Sequence, residues 1–130
     1  EGLHPLPNLM GQDATERAFI EMADRRVEWY FLLPIGNCIR HTHPGLAPLE
    51  QPQFADYGQA QGRKLREVAR WLDGVLAKSR FIAGERYTIA DITALVAIDF
   101  GRVSEIRILP EQKNLTRWYG EVSARPSAKA

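Results

Sequence analysis

The sequence predicts an all-α domain, a helical bundle built from four helical segments. Four stretches carry apolar residues at the three- and four-residue spacing of a helix. A half-buried strand requires apolar and polar residues to alternate along the chain, and this pattern is nowhere sustained over more than a few residues. The length of 130 residues is close to the commonest domain size and suffices for one apolar core. A single helical domain is therefore expected.

The first helical segment is predicted to begin at Asp13 and to end near Ile39 or Arg40. Asp13, with Glu16 three residues later, imitates a capping box, which marks the start of a helix. Pro34 lies inside the pattern and lacks an amide donor, so it should kink the helix near residues 30–33 or divide it, and a kink is favoured. One stripe at helical spacing is expected to face mostly the core: Phe19, Met22, Ala23, Arg26, Val27, Tyr30, Leu33 and Asn37.

A surface loop and an amphipathic helix are predicted to follow. Residues 41–53 contain three prolines and one glycine, which favour a loop. A second helix, from about residue 54 to residue 79, has one apolar face and one charged face. The members of its apolar face are Leu65, Val68, Ala69, Leu72, Val75 and Leu76.

The third segment combines a helix-start signal with an almost wholly apolar helix. Thr88 and Asp91 have the spacing of a capping box, in which each side chain accepts a hydrogen bond from the other residue's amide. Residues 89–98 are apolar on nearly every side, so this helix is predicted to lie inside the core. A fourth helix is predicted from about Gln112 to Ser123, before Pro126.

Charge, cysteine content and leader patterns limit the possible environments. The 17 basic and 16 acidic residues give a net charge of +1. The chain therefore has no broad positive electrostatic field that would bind nucleic acid or an anionic membrane. Cys38 is the single cysteine and cannot form an internal disulfide. With no secretory leader pattern and no apolar run long enough to span a bilayer, the cytoplasm is the expected compartment.

The start of the chain is expected to be a linker. It begins without methionine and runs through Pro5, Pro7 and Gly11. Residues 1–12 are therefore predicted to be an interdomain linker remnant, and residues 13–130 the all-helical domain.

The only closely spaced histidines allow three interpretations. His41 and His43 would ligate zinc or copper if a third ligand came from elsewhere. They would otherwise order a loop, or line a substrate cleft at the end of the first helix. His4 lies in the linker, and no metal-site motif accompanies the pair, so no metal is predicted. Cys38 is expected to be a buried or cleft-lining thiol, because a helix C-terminus disfavours a reactive thiolate.

A charged strip on the first helix also has more than one interpretation. Arg25, Arg26 and Glu28 are expected to be a solvated strip, an intermolecular salt-bridge set or anion contacts for a small ligand. The capping role accounts for Asp91, and no nucleophile with a base can be assembled. No catalytic residue is predicted within the chain.

Four features in a fixed order resemble the C-terminal domain of glutathione S-transferases. They are the Phe-Ile-Ala-Gly turn at residues 81–84, the Thr88-x-x-Asp91 box, the apolar helix and the Ser-Ala-Arg-Pro-Ser end at residues 123–127. The resemblance covers almost the whole chain. It implies that an N-terminal thioredoxin-like domain, absent here, binds most of the glutathione cosubstrate and carries the activating residue. The chain alone is then expected to be inactive.

The resemblance also implies roles for residues of the first helix. Ile35, Cys38 and Ile39 would form the wall of an electrophile pocket, with His41 and His43 beyond them. Arg25 and Glu28 would lie towards the glutathione end and the dimer axis. The full-length protein would be a homodimer that detoxifies apolar electrophiles by adding the glutathione thiolate. The alternative is a noncatalytic scaffold or protein-interaction domain of the same fold.

Overall fold

A computed structural model of the protein describes residues 2–104 and 106–129. Within them lie five α-helices, and a π-helical turn at Glu28–Leu32 joins the first two. The helices are α1 (Ala14–Val27), α2 (Leu33–Thr42), α3 (Ala55–Leu76), α4 (Ile89–Gly101) and α5 (Lys113–Ser123). Across the described residues, the one β-type pairing is an isolated bridge between Phe81 and Gly84. The predicted all-α class is confirmed. No helix in this part of the chain is both long and apolar enough to cross a membrane.

The first predicted segment is one helix whose hydrogen bonding changes at its middle. The amide of Leu33 donates to the carbonyl oxygen of Glu28, five residues earlier, so the turn between α1 and α2 holds an extra residue. Pro34 follows, buried in the first turn of α2. Since proline offers no amide donor and its ring crowds the preceding turn, a wider turn accommodates it. The predicted disturbance is thus a π-helical turn, and the helix continues to Thr42.

The core side of this helix is not the stripe predicted from spacing. The buried line consists of Val27, Phe31, Ile35 and Ile39, all at most 2% exposed. Five members of the predicted stripe are exposed instead: Phe19, Met22, Arg26, Tyr30 and Leu33. The prediction was wrong for these five because two apolar lines run side by side along the helix. Spacing alone does not show which of them the chain's own helices cover.

Helices α2 and α3 pack closely because two glycines of α3 face α2. A Cβ atom added at Gly58 would lie 2.7 Å from Cγ2 of Thr42 and 3.2 Å from the carbonyl oxygen of Cys38. A Cβ atom at Gly62, one turn later, would lie 3.1 Å from Sγ of Cys38. The absence of these side chains lets the helices approach each other.

A buried carboxylate, that of Asp91, links α4 to two other parts of the chain. Oδ2 accepts hydrogen bonds from the amide and the hydroxyl of Thr88, at 2.8 and 3.2 Å. Oδ1 accepts from the amide of Ile82 at 3.0 Å and from Nε1 of Trp118 at 2.8 Å. Thr88 and Asp91 thus form a capping box that also holds the preceding turn and α5. Burial raises the pKa of Asp91, although the four hydrogen bonds act in the opposite direction.

Only one side of α4 lies in the core, which corrects the prediction of a wholly buried helix. Small residues let this side pack closely, and its buried members are Ala90, Ala94, Leu95, Ala97 and Ile98. Ile92, Val96 and Phe100, four residues apart, are exposed on the other side. An apolar composition on all sides therefore did not mean burial on all sides.

Asp73 of α3 caps α5 from a different helix. Its Oδ1 accepts hydrogen bonds from the amides of Asn114 and Leu115, at 2.8 and 2.9 Å. Its Oδ2 accepts from Nδ2 of Asn114 at 3.2 Å. Burial alone would raise the pKa of Asp73, but these hydrogen bonds outweigh it and lower the pKa. Gln112, the residue before α5, makes no side-chain cap of its own.

Residues 2–13, which precede α1, contain no helix and are fixed to the bundle. Arg86 donates a hydrogen bond to the carbonyl oxygen of Asn8 at 3.1 Å and forms an ion pair with Glu16 of α1. Asp13 caps α1 by accepting the amide of Glu16 at 2.9 Å. The assignment of residues 1–12 as an interdomain linker remnant stays a prediction; residue 1 lies outside the described residues.

Candidate ligand-facing surface

One side of α1 and α2 is left uncovered by the other described helices. We call it the open face, and it consists of Arg25, Trp29, Leu33, Gly36 and Arg40, which follow one another at helical spacing. The side chains of Trp29 and Leu33 are 61% and 44% exposed. The π-helical turn lies in the middle of this face, and such turns often occur at functional sites. An apolar surface with charges on either side indicates a place where another molecule binds.

Three carboxylates surround the guanidinium group of Arg25. Its Nη2 lies 2.7 Å from Oδ2 of Asp24, its Nε lies 3.2 Å from Oε1 of Glu21, and its Nη1 pairs with Glu28. The hydrogen bond to Asp24 raises the pKa of Arg25, so the guanidinium keeps its charge. The side chains of Glu21 and Arg25 are about half exposed, which weakens their ion pair through solvent screening. Oε2 of Glu28, the atom that faces Arg25, is buried. This end of the open face presents both signs of charge.

Asp24 anchors this cluster to α4. It is 1% exposed, and its Oδ1 accepts the hydroxyl of Thr93 at 2.6 Å. A buried carboxylate requires such partners, since an unpaired buried charge is costly. Asp24 therefore fixes Arg25 relative to α4. Asp24 was not among the predicted site residues, although the sequence contains a signal for it: Asp24 interrupts the apolar line formed by Ile20 and Val27.

The three side chains predicted to form a pocket wall lie behind the open face. Ile35 and Ile39 belong to the apolar core, and Cys38 is 8% exposed with its sulfur against Gly62 of α3. They shape the helix that carries the open face but do not form its surface. Their contribution to a pocket stays a prediction.

His41 and His43 contact the connection between α2 and α3. Nδ1 of His41 accepts the amide of Phe54 at 3.2 Å, and Nδ1 of His43 accepts the amide of Gly45 at 3.1 Å. The ring of His41 also lies edge-on to Tyr57, with centroids 5.1 Å apart. This geometry favours the loop-ordering interpretation of the pair. Over residues 2–104 and 106–129, no group of three or more His, Cys, Asp or Glu side chains is arranged to hold a metal ion.

A second apolar surface lies between α1 and α3. We call it the α1–α3 groove; Met22 and Arg26 of α1, Tyr30 of the π-helical turn and Trp71 of α3 line it, and Phe19 of α1 extends it. All of these residues except Trp71 belong to the stripe that was predicted to face the core. Because the groove brings several large, exposed apolar side chains together, it has the character of an interaction surface.

Both surfaces combine exposed apolar side chains with charged ones. The open face consists of two arginines, two large apolar residues and a glycine. Such a surface can exclude water from a bound molecule and hold its charges.

Comparisons with known proteins identify one family. The family model described as "Glutathione S-transferase, C-terminal domain" matches residues 37–126. Glutathione S-transferase 2 of Saccharomyces cerevisiae is 30% identical over 130 residues, which are 99% of this chain and 56% of that protein.

Solved structures give the same result. The crystal structure of Gtt2 from Saccharomyces cerevisiae has a TM-score of 0.92 at 30% identity, covering 98% of this chain and 62% of that one. A glutathione S-transferase domain-containing protein of Marinobacter aquaeolei has a TM-score of 0.92 at 34% identity, with the same coverage of 98% and 62%. The chain thus spans less than two thirds of the length of these relatives.

Proposed function

Because this chain belongs to the glutathione S-transferase C-terminal domain family, we propose that it is the substrate-side helical part of a glutathione transferase. In this proposal the enzyme adds the glutathione thiolate to apolar electrophiles. The chain spans 56% of its yeast relative, and a thioredoxin-like N-terminal domain would supply the activating group and most of the glutathione site. The observation that carries the proposal is the open face, which combines paired charges with exposed apolar surface. A free thiol at Cys38 supports a cytoplasmic location.

The charged end of the open face suits one end of glutathione. The γ-glutamyl end of that tripeptide carries a carboxylate and an ammonium group on the same carbon. Glu21 and Glu28 on either side of Arg25 offer carboxylates for the ammonium group. Arg25 would bind the carboxylate through the guanidinium N–H groups that its contacts with Asp24, Glu21 and Glu28 leave free. Asp24 holds Arg25 in place from the buried side.

The apolar middle of the open face suits the electrophile. Trp29 and Leu33 would form the surface of its pocket, with Ile35, Cys38 and Ile39 behind them and His41 and His43 beyond. In the assembled enzyme this surface would exclude water and hold the electrophile near the thiolate, so proximity and a dry environment would contribute to the rate. No metal takes part in this proposal.

Arg25→Gln in the full-length protein tests the glutathione end. We expect the KM for glutathione to rise about 10-fold while kcat changes less than about 2-fold. The reason is that the contact between Arg25 and glutathione would stabilise the bound substrate and the transition state equally. Steady-state conjugation kinetics at varied glutathione measure both constants.

The matched control is Arg63→Gln, which removes an exposed arginine of α3 far along the chain from this cluster. It should leave both constants unchanged. An Arg25→Gln enzyme with a wild-type KM for glutathione would contradict the proposed role. A full-length protein without any conjugation activity would favour the noncatalytic interaction domain.

We further propose that the full-length protein is a homodimer whose contact includes the α1–α3 groove. Tyr30→Glu places a charge on this groove at an exposed position, so we expect it to shift the protein from dimer to monomer in sedimentation velocity. Val103→Glu, an exposed apolar residue after α4, is the matched control and should leave the dimer intact. Unchanged sedimentation of the Tyr30→Glu protein would place the contact elsewhere.

A further inference from the structure

The open face has an arginine at each end and an apolar surface between them. Arg25 lies at its start and Arg40 at its end, about 20 Å apart along the helix axis. The proposed function uses Arg25 for glutathione, and Trp29 and Leu33 for the apolar body of the electrophile. It assigns no role to Arg40, which lies on the electrophile's side of this surface.

The guanidinium group of Arg40 is held by one carboxylate and keeps donors for another. Its Nε donates a hydrogen bond to Oε2 of Glu50 at 2.8 Å. Among the residues that the structure describes, its terminal nitrogens Nη1 and Nη2 have no hydrogen-bond partner. The side chain is 56% exposed, so a ligand can reach these nitrogens. Two neighbouring N–H groups of a guanidinium match the two oxygens of a carboxylate.

The helix surface beside Arg40 has room for a ligand. Gly36 lies one turn before Arg40, and a Cβ atom added there would meet nothing within 4 Å. Leu33, which is 44% exposed, lies about 10 Å before Arg40 along the helix axis. A flat molecule on Leu33 can therefore extend over Gly36 towards the guanidinium group.

We propose that Arg40 selects electrophiles that carry one carboxylate at the end remote from the reacting carbon. This inference rests on the proposed transferase function and names the substrate class of its electrophile site. The apolar body would cover Leu33 and Gly36, and the carboxylate would bind the terminal nitrogens of Arg40. Because the apolar body displaces water beside the guanidinium group, the attraction between the two charges is stronger than in open water. A neutral electrophile would gain only the apolar contact.

A chlorodinitrobenzoate with its chlorine para to the carboxylate, and the methyl ester of this acid, are matched substrates for the full-length protein. With each compound the glutathione sulfur bonds to the carbon that carries chlorine, and chloride leaves with the electron pair of the broken bond. Arg40→Gln should lower kcat/KM about 5- to 10-fold for the acid and less than about 2-fold for the ester, because only the acid loses a charge-assisted contact. Comparing variant and wild type on each substrate separately cancels the difference in intrinsic reactivity.

Two further variants control for other causes of a loss. Glu50→Gln removes the negative charge of the Arg40 ion pair but keeps the arginine, so kcat/KM for the acid should not fall. Arg63→Gln, on α3 and outside the open face, controls for a general loss of positive charge and should affect neither substrate. A fall with Glu50→Gln as large as that with Arg40→Gln would overturn the proposal, because the ion pair would then matter only for the structure.

The two substrates also separate this inference from the function on which it rests. A full-length protein that conjugates neither compound would overturn both. A protein that conjugates both, with a ratio of kcat/KM between acid and ester that Arg40→Gln leaves unchanged, would overturn only the role of Arg40. The transferase function would then stand with no selection for a carboxylate.

Discussion

Asp91→Ala is expected to lower the free energy of unfolding by about 3–5 kcal/mol. The substitution leaves three buried donors without an acceptor: the amides of Ile82 and Thr88 and Nε1 of Trp118. Each such orphaned group costs about 1–3 kcal/mol. Urea denaturation followed by circular dichroism measures the difference. Asp56→Ala, an exposed aspartate in the first turn of α3, should change the free energy by less than about 0.5 kcal/mol.

The effect of Asp91→Ala should also depend on pH. Burial raises the folded-state pKa of Asp91 above its ordinary value of 3.8. A group whose pKa is raised on folding stabilises the folded state fully at a pH below its unfolded-state pKa. Part of this stabilisation is lost as the pH rises through the folded-state pKa. The difference between wild type and variant should therefore be larger at about pH 4 than at about pH 7. A difference that grows with pH would contradict this view of the site.

Gly58→Ala is expected to lower the free energy of unfolding by about 1–3 kcal/mol, the usual cost of overpacking. The new methyl group would lie 2.7 Å from Cγ2 of Thr42 and 3.0 Å from Cβ of His41. Thr42 cannot turn away freely, because its hydroxyl donates a hydrogen bond to the carbonyl oxygen of Cys38 at 2.6 Å. Helices α2 and α3 would have to move apart, which thermal unfolding would detect.

Gly74→Ala provides a matched control on the same helix. A Cβ atom there would meet nothing within 4 Å, so alanine should raise the free energy of unfolding by about 0.5–1 kcal/mol through its better helix propensity. The two glycine substitutions in α3 are therefore expected to have opposite signs. The same sign and size for both would show that close packing of α2 on α3 does not limit position 58.

Local signals in the sequence predicted most of the fold. The second predicted helix, from about residue 54 to residue 79, corresponds to α3 at Ala55–Leu76, and the fourth corresponds to α5 at Lys113–Ser123. Caps, prolines and apolar spacing act within a few residues of the helix end that they mark, so the sequence alone carries them. The Thr88 and Asp91 pair is such a signal, and the structure contains the capping box.

Features that depend on distant parts of the chain were not predicted. Asp73 caps α5 and Asp24 holds a hydroxyl of α4, and no spacing rule connects these residues to partners so far along the sequence. The exposed line of α1 and the exposed side of α4 are apolar, as core surfaces are. Sequence periodicity shows that a helix face avoids water but does not show which molecule covers it. For the same reason, Ile35 and Ile39 could not be distinguished from surface residues of a pocket.

Glutathione conjugation, measured side by side on the 130-residue chain and on the full-length gene product, tests the central proposal most directly. We expect the full-length protein to bind glutathione and to conjugate an apolar electrophile, and we expect the shorter chain alone to do neither. A full-length protein that neither binds glutathione nor turns over an electrophile would contradict the proposal and leave a noncatalytic interaction domain as the function of this fold.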